Sequence, residues 1–137
     1  MKIIIETNRL ILRELVETDI DGLAKVLSDA NSMKYYPKPF TRQKVNNWIE
    51  WNIKNYHTYG HGLWAVLVKP EMTFIGDCGI TMQEIDGEKL PDLGYHIQDQ
   101  YCNKGYASEA ARACIEYAFS TLRMEILYTY AKHDNIP

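Results

Sequence analysis

This sequence of 137 residues lacks the features of several specialised protein classes. Its three cysteines, Cys78, Cys102 and Cys114, are an odd number without CxxC spacing, which argues against a disulfide framework and against a zinc site. No apolar run approaches the roughly 20 residues that cross a bilayer, and Glu6 follows too soon for a signal-peptide core. The sequence therefore predicts a cytoplasmic protein without a metal site, a membrane span or a secretion signal.

An excess of positive charge is also missing. The chain has 15 Lys+Arg and 18 Asp+Glu residues, a formal net charge of −3, so no basic field is available to hold a nucleic-acid backbone. Hydrophobic residues make up 46% and charged residues 24%, as in soluble globular proteins. We expect one domain over residues 1–137, no binding of nucleic acid, and only local binding of any phosphate.

Hydrophobic spacing predicts an α/β or α+β domain with a mixed sheet. Thr41 is a natural N-cap, Gly60 ends the helix that follows it, and Gly76 and Gly79 indicate a bulge or a close backbone approach. The last helix should place Ile115 and Phe119 against the sheet. Strands are expected at 9–15, 63–68, 74–82, 93–97 and 126–131, and helices at 20–28, 42–59 and 106–122.

The most informative stretch is 99–110, where a strand leads through a loop with Gly105 directly into the last helix. The first N–H groups of a helix have no intrahelical acceptor, and the helix dipole adds positive charge there, so such a junction binds anions. Ala107 and Ser108 keep the first turn uncluttered. A tight strand-to-helix turn is the simpler interpretation of one glycine, and neither the P-loop nor the GxGxxG motif is present.

Four ordered segments resemble the GNAT superfamily of acyl-CoA-dependent N-acetyltransferases, in the branch of the ribosomal-protein N-terminal, Rim-type enzymes. The segments are 8–13 (NRLILR), 74–80 (FIGDCGI), 93–97 (LGYHI) and 104–110 (KGYASEA). The resemblance implies a GNAT-like fold and acetyl-CoA as co-substrate. Residues 102–107 map onto the family's Gln/Arg-x-x-Gly-x-Gly/Ala loop, except that Cys102 replaces the Gln or Arg, so phosphate contact would depend on backbone amides and Lys104.

The resemblance also implies which residues bind the coenzyme. The pantetheine arm would lie in a gap beside the strand that ends at Ile97, against backbone groups of Tyr95, His96, Ile97 and Gln98. Asn135 would contact the same arm. The pyrophosphate would lie on the loop formed by Cys102, Asn103, Lys104, Gly105, Tyr106, Ala107 and Ser108.

Catalysis requires a neutral amine. At pH 7 about 0.04% of a lysine-type amine is neutral, against about 10% of an α-amine, so the absence of an evident strong base favours an α-amine or another amine of low pKa. His96 is the best candidate base, although a strand histidine can also serve packing. Asp77 and Glu84 are expected to be solvated carboxylates, or alternatively to order a water.

Other candidates carry weaker indications. Cys102 has no neighbouring histidine and does not resemble a nucleophile. The aromatic pair at 35–36 either frames the acceptor entrance or covers the core, and Trp51 either borders the acceptor site or is simply half exposed. The remaining histidines, at positions 57, 61 and 133, are expected on the surface or in loops.

Resemblance implies a further helix and two strands after the fifth strand, and these are absent from the sequence. The strand at 126–131 would then expose an apolar edge. We expect either a truncated version of a longer enzyme or a second copy covering that edge. Two functions remain open: transfer of acetyl from acetyl-CoA to a primary amine in a ternary complex, the acceptor being a protein N-terminus or a small molecule, and a non-catalytic acyl-CoA-binding module with a regulatory role.

Overall fold

A computed structural model describes residues 2–30, 32–33 and 38–129 as an antiparallel sheet of five strands with three α-helices. Each strand pairs with its neighbours in sequence order. The strands are β1 (Ile3–Glu6), β2 (Leu10–Glu14), β3 (Leu63–Val68), β4 (Thr73–Ile85) and β5 (Glu88–Ile97), and the helices are α1 (Ile20–Leu27), α2 (Arg42–Tyr59) and α3 (Tyr106–Ser120). The predicted class, a mixed α and β domain, is confirmed.

Helices cover both faces of this sheet. Trp64 and Val66 of β3 belong to the core cluster that contains α3, whereas Ala65 between them packs with α1 and α2. Because successive side chains of a strand point to opposite faces, β3 is buried on both sides, which explains its unbroken apolar sequence. No helix within the described ranges is long and apolar enough to cross a membrane.

The structure confirms the helix ends and the turn that were predicted from local sequence alone. The hydroxyl of Thr41 accepts a hydrogen bond from the Lys44 N–H at 3.2 Å and caps α2, and Gly60 ends the helix with a φ of 81°. Asp86 and Gly87 form the tight connection between β4 and β5, both with positive φ. Local chemistry alone therefore sets the bounds of α2 and of this hairpin.

Both ends of the sheet differ from the prediction. The apolar start of the chain forms β1, an edge strand that the hydrophobic pattern did not predict, paired with β2 through an irregular register. The predicted strand at 126–131 is reduced, over the residues described up to Thr129, to a single parallel bridge between Tyr128 and Asp92. Hydrophobic pattern cannot decide such edge pairings, because it reports burial and not the presence of a partner strand.

The buried face of α3 is narrower than predicted. Its fully buried row is Ala110, Cys114 and Ala118. Ile115 and Phe119, which were expected to face the sheet, are 37% and 45% exposed. Small residues every four positions let the helix lie close to the sheet along one line, and this line tilts the two large side chains outward.

Candidate active site

The segment from Cys102 to Ser108, here called the 102–108 loop, leads from the end of β5 into the first turn of α3 and includes backbone N–H groups with no hydrogen-bond partner among the described residues. Among the described residues, no acceptor lies within hydrogen-bond distance of the N–H groups from Asn103 to Ser108, and the first satisfied amide of the helix is that of Glu109, bonded to Gly105 O at 3.0 Å. Gly105 has a φ of 83° and caps the helix without a side chain. The exposed residues of the loop leave these donors accessible, so the junction has the donors and the dipole of an anion site.

A cluster beneath the loop holds it in place. Arg9 Nη1 donates to Lys104 O at 3.0 Å, and its guanidinium lies 4.5 Å from the centre of the Tyr106 ring. The Glu109 carboxylate accepts from Arg9 Nε at 2.6 Å, from the Arg9 backbone N–H at 3.0 Å and from the Thr7 hydroxyl at 2.6 Å. The turn between β1 and β2 thus fixes both the loop and the start of α3.

Electrostatics favour the ionised form of Glu109. Burial by itself raises the pKa of this carboxyl, but the hydrogen bonds from Thr7 and Arg9 and the charge of Arg9 outweigh it and hold the pKa below its usual value. The sequence pattern indicates only a strand position for Arg9 and a Glu109 that points away from the sheet. No spacing links residues so far apart in the chain, so this anchor could not be found from the sequence.

Over the described residues, the outer edge of β5 is bonded at a single bridge, between Asp92 and Tyr128. Leu93 N–H donates to Tyr128 O at 2.7 Å, whereas Gln98 N–H donates to Ile75 O at 2.7 Å on the opposite side. Main-chain groups alternate along a strand, so Tyr95 and Ile97 direct theirs to the outer edge, and His96 and Gln98 direct theirs toward β4. Only the first pair can therefore offer a backbone to a ligand lying along this edge.

His96 belongs to a buried polar cluster that spans β4, β5 and α2. Asp77 lies opposite His96 in the register of the two strands, and its Oδ1 is 2.8 Å from His96 Nδ1. The other oxygen, Oδ2, accepts from Trp48 Nε1 at 3.1 Å. Asp77 is fully buried and the His96 side chain is 11% exposed. The expectation of a solvated carboxylate at position 77 is therefore wrong.

Close packing explains why this carboxylate is buried. A Cβ on Gly76 would lie 1.9 Å from His96 O, and one on Gly79 would lie 2.1 Å from Gly62 O. Both glycines therefore permit the close backbone approach that the sequence predicted, and the one at Gly76 is an approach to β5 next to the Asp77–His96 pair. Trp48 covers the pair with its ring centre 5.6 Å from that of the imidazole, and 5.4 Å from the Phe40 and Trp51 rings.

The other predicted residues lie away from this cluster or outside the described ranges. Glu84 is exposed opposite Lys89, about 23 Å along β4 from Asp77 at about 3.3 Å per residue. His61, expected in a surface position, is buried with Nδ1 2.7 Å from Ile80 O, and burial lowers its pKa. Asn135, which the resemblance places on the pantetheine arm, lies outside the described residues, as do the tyrosines at 35–36 and the histidine at 133.

The placement of the cysteines bears on metal and thiol chemistry. Over the part of the chain that is described, no group of three or more His, Cys, Asp or Glu side chains is arranged to hold a metal ion. Cys78 and Cys114 are buried thiols with sulfur atoms 3.7 Å apart, between β4 and α3. Cys102 is an exposed thiol with Sγ 3.8 Å from Ile97 O.

Comparison with known proteins identifies the class to which this fold and site belong. A family model for the acetyltransferase (GNAT) domain matches residues 9–137. An uncharacterized N-acetyltransferase of Bacillus subtilis (strain 168), YnaD, is 31% identical over 134 residues, which cover 97% of this chain and 75% of the relative. A GNAT-family acetyltransferase from Bacillus anthracis aligns with a TM-score of 0.78 at 28% identity, over 96% of this chain and 75% of that one. The chain belongs to the GNAT acetyltransferase family, as its sequence motifs predicted.

Rim-type enzymes are among the proteins with the same fold. The structure of the ribosomal L7/L12 α-N-protein acetyltransferase RimL in complex with coenzyme A aligns with a TM-score of 0.67 at 17% identity, over 98% of this chain and 77% of that one. At this identity the similarity shows the fold alone.

Proposed function

We propose that this acetyltransferase moves an acetyl group from acetyl-CoA to a primary amine, in a complex that holds both substrates at once. The observation that carries the proposal is the row of backbone N–H groups from Asn103 to Ser108 at the start of α3, which form no hydrogen bond among the described residues. A pyrophosphate supplies the acceptors and the negative charge that this helix start lacks. Lys104 adds an exposed positive charge on the same loop.

The pantetheine arm would follow the outer edge of β5. Tyr95 and Ile97 direct their main-chain groups to this edge, where an extended amide chain can bond as an added strand does. A backbone N–H there would polarise the thioester carbonyl and stabilise the oxyanion that develops on it, often a large part of catalysis. The existence of a coenzyme A complex of RimL, which shares this fold, supports coenzyme binding by this chain.

His96 is the proposed base for the reaction. The neutral amine attacks the thioester carbon, a C–N bond forms, the C–S bond breaks, and the thiolate of coenzyme A leaves. The nitrogen gives up one proton, which passes to the imidazole and then to solvent, while the thiolate takes a proton to become the free thiol. A single imidazole suits an amine of low pKa, so we propose an α-amine, of a protein N-terminus or of a small molecule, as acceptor.

An acetylation assay with a panel of amines tests this proposal. The full chain is mixed with acetyl-CoA and a short peptide, a free amino acid, a polyamine or N-α-blocked lysine, and the acetylated product is measured by mass spectrometry, since the exposed Cys102 would consume a thiol reagent. We expect product with α-amines first, and stabilisation by about 2.7 kcal/mol at acetyl-CoA near 100 times Kd.

Two other outcomes have distinct meanings. Stabilisation by acetyl-CoA without product from any amine would support the non-catalytic acyl-CoA-binding module instead. If acetyl-CoA neither stabilised the chain nor gave any product, the assignment of a coenzyme site would be overturned. Desulfo-coenzyme A, which keeps the pyrophosphate but cannot carry acetyl, serves as the control, because it should stabilise the chain without supporting transfer.

A further inference from the structure

The geometry points to Asp77 and Trp48 as positioning residues that fix the proton of His96 on Nδ1, so that the lone pair of the neutral ring lies on Nε2. The location of the proton is inferred from the contacts of Asp77 with His96 and with Trp48. Its consequence for catalysis rests on the proposed function, in which His96 accepts a proton from the amine. NMR tests the first and kinetics the second.

The donors around Asp77 decide which nitrogen of His96 holds the proton. Tryptophan Nε1 is a donor only, so the contact at 3.1 Å requires Asp77 Oδ2 to accept. With Oδ2 engaged in this way, the 2.8 Å contact of Oδ1 fits a carboxylate that accepts from His96 Nδ1–H. Nε2 then bears the lone pair and lies on the far side of the ring from Asp77.

Packing holds the imidazole in this orientation. Asp77 and His96 are cross-strand partners, so their side chains project from the same face of the sheet. The Trp48 ring meets the imidazole at 80° with centres 5.6 Å apart, which opposes rotation of the ring about its bond to the strand. One tryptophan therefore orients both members of the pair, through its N–H and through its ring.

The buried carboxylate lies beside the ring that would gain a positive charge in the reaction. Ion pairs of the described residues link Asp77 with His96 and with no lysine or arginine. When the imidazole takes a proton from the amine, the fully buried Asp77 carboxylate lies 2.8 Å from the ring that carries the new positive charge. The arrangement matches that of a carboxylate which orients a catalytic histidine without itself taking a proton.

A purely structural role makes a different prediction. In that case Asp77 serves only to attach α2 to the sheet, as Asn52 also does through a 2.8 Å bond from Leu63 N–H and a 2.9 Å bond to Trp48 O. Loss of either residue would then lower stability in the same way and leave the histidine proton where it was. Asn52 is fully buried and bonds to the backbone of α2 and β3 instead of to the Asp77 carboxylate, so it gives a matched control.

Asp77→Asn shifts the proton if the inference is right. The Trp48 N–H can bond only to the amide oxygen of the new asparagine. The asparagine NH₂ group therefore faces His96 Nδ1 and donates a hydrogen bond to that nitrogen. His96 must then carry its own proton on Nε2, where no lone pair remains to accept from the amine. Asp77→Asn combined with Trp48→Phe releases the amide oxygen to accept from Nδ1–H again, and this second change restores the original proton position.

Nitrogen-15 NMR of the histidine rings, recorded at a pH at which the imidazoles are neutral, measures directly which ring nitrogen of His96 holds the proton. Signals are assigned with His96→Gln. We expect Nδ1–H in the unmodified chain, Nε2–H in Asp77→Asn, a return toward Nδ1–H in the double variant, and no change in Asn52→Ala. Nε2–H in the unmodified chain, or the same proton position in all four proteins, would overturn the inference.

Kinetics then test the consequence for catalysis. We expect Asp77→Asn to lower kcat about 10²- to 10⁴-fold, with KM for acetyl-CoA unchanged because the 102–108 loop is untouched. Asn52→Ala should lower the melting temperature and keep kcat within a few fold. A shifted proton with unchanged kcat would refute the positioning role in catalysis. An unmodified chain without turnover on any amine would refute the proposed function instead, and the NMR result would still decide where the proton lies.

Discussion

Replacing Glu109 tests whether the 102–108 loop is held from beneath by the turn between β1 and β2. The carboxylate accepts hydrogen bonds from the Thr7 hydroxyl, the Arg9 N–H and Arg9 Nε at 2.6, 3.0 and 2.6 Å. A bond to a charged group contributes about 1.5–3 kcal/mol when buried, but these side chains are 20% exposed for Glu109 and 40% for Arg9. We therefore expect Glu109→Ala to lower the free energy of unfolding by about 2–3 kcal/mol in total.

That loss corresponds to a melting temperature lower by about 7–10 °C, since the unfolding entropy of a domain this size makes 1 kcal/mol equal to about 3.5 °C. Glu109→Gln should cost less, because its amide oxygen still accepts, but it should also weaken acetyl-CoA binding through the loosened loop. Circular dichroism melts and calorimetric titration of acetyl-CoA measure the two effects. Glu116→Gln, an exposed carboxyl on the same helix, is the matched control and should stay within about 0.5 kcal/mol.

The pH dependence of the stability difference between the unmodified chain and Glu109→Gln tests whether the Glu109 carboxylate anchors the loop. Because the folded-state pKa of Glu109 lies below its unfolded value, its stabilisation is complete above the unfolded pKa of about 4.3 and is lost as the pH falls through the folded pKa. The difference between the unmodified chain and Glu109→Gln should be full at pH 7 and shrink in the acid range. Equal melting temperatures at pH 7, or a difference that stays constant on acidification, would show that the cluster does not anchor the loop.

Three further predictions concern single residues of the site. Gly105→Ala should cost about 1–2 kcal/mol and weaken acetyl-CoA binding, because φ is 83° and the new Cβ would lie 3.2 Å from Arg9 Nη2; unchanged denaturant midpoint and Kd would contradict this. His96→Gln should lower kcat about 10²- to 10⁴-fold at an unchanged KM for acetyl-CoA, and a loss of less than about tenfold would exclude it as the base. Cys102→Ser should keep turnover within about threefold, with no acetylated cysteine detectable by mass spectrometry in the unmodified chain, whereas a trapped acetyl-thioester would favour a covalent route.

Contacts between residues that are far apart in the chain could not be predicted from the sequence, whereas local features could. Thr41 and Gly60 act within one turn of α2, so their roles could be predicted from local chemistry. The motif around Gly105 likewise predicted the loop and the family, because loop and helix start are contiguous in the chain. The anchor of Glu109 on Arg9 joins residues 100 positions apart, and no local pattern encodes it.

Asp77 illustrates the same limit within the candidate site. An aspartate on a predicted strand is more often solvated than buried, and only the register of β4 with β5 places Asp77 under His96. Register depends on the whole length of the hairpin, and a slip by one residue would move Asp77 to the other face. The sequence could therefore propose His96 as a base but could not predict the residue that orients it.

The register of β5 also explains how one strand can serve coenzyme and acceptor together. Its main-chain groups alternate between the β4 side and the outer edge, so His96 pairs with β4 through its backbone while its neighbours Tyr95 and Ile97 direct theirs to the edge at which we propose that the coenzyme binds. The His96 side chain extends toward α2, where Trp48 and Asp77 hold it. Because a thioester lying along this edge and the imidazole are thus set by adjacent residues of one rigid strand, their relative position does not depend on closure of a loop. Catalysis by proximity requires such fixed geometry, and a change that shifts the register should therefore abolish transfer even where the loop still binds coenzyme.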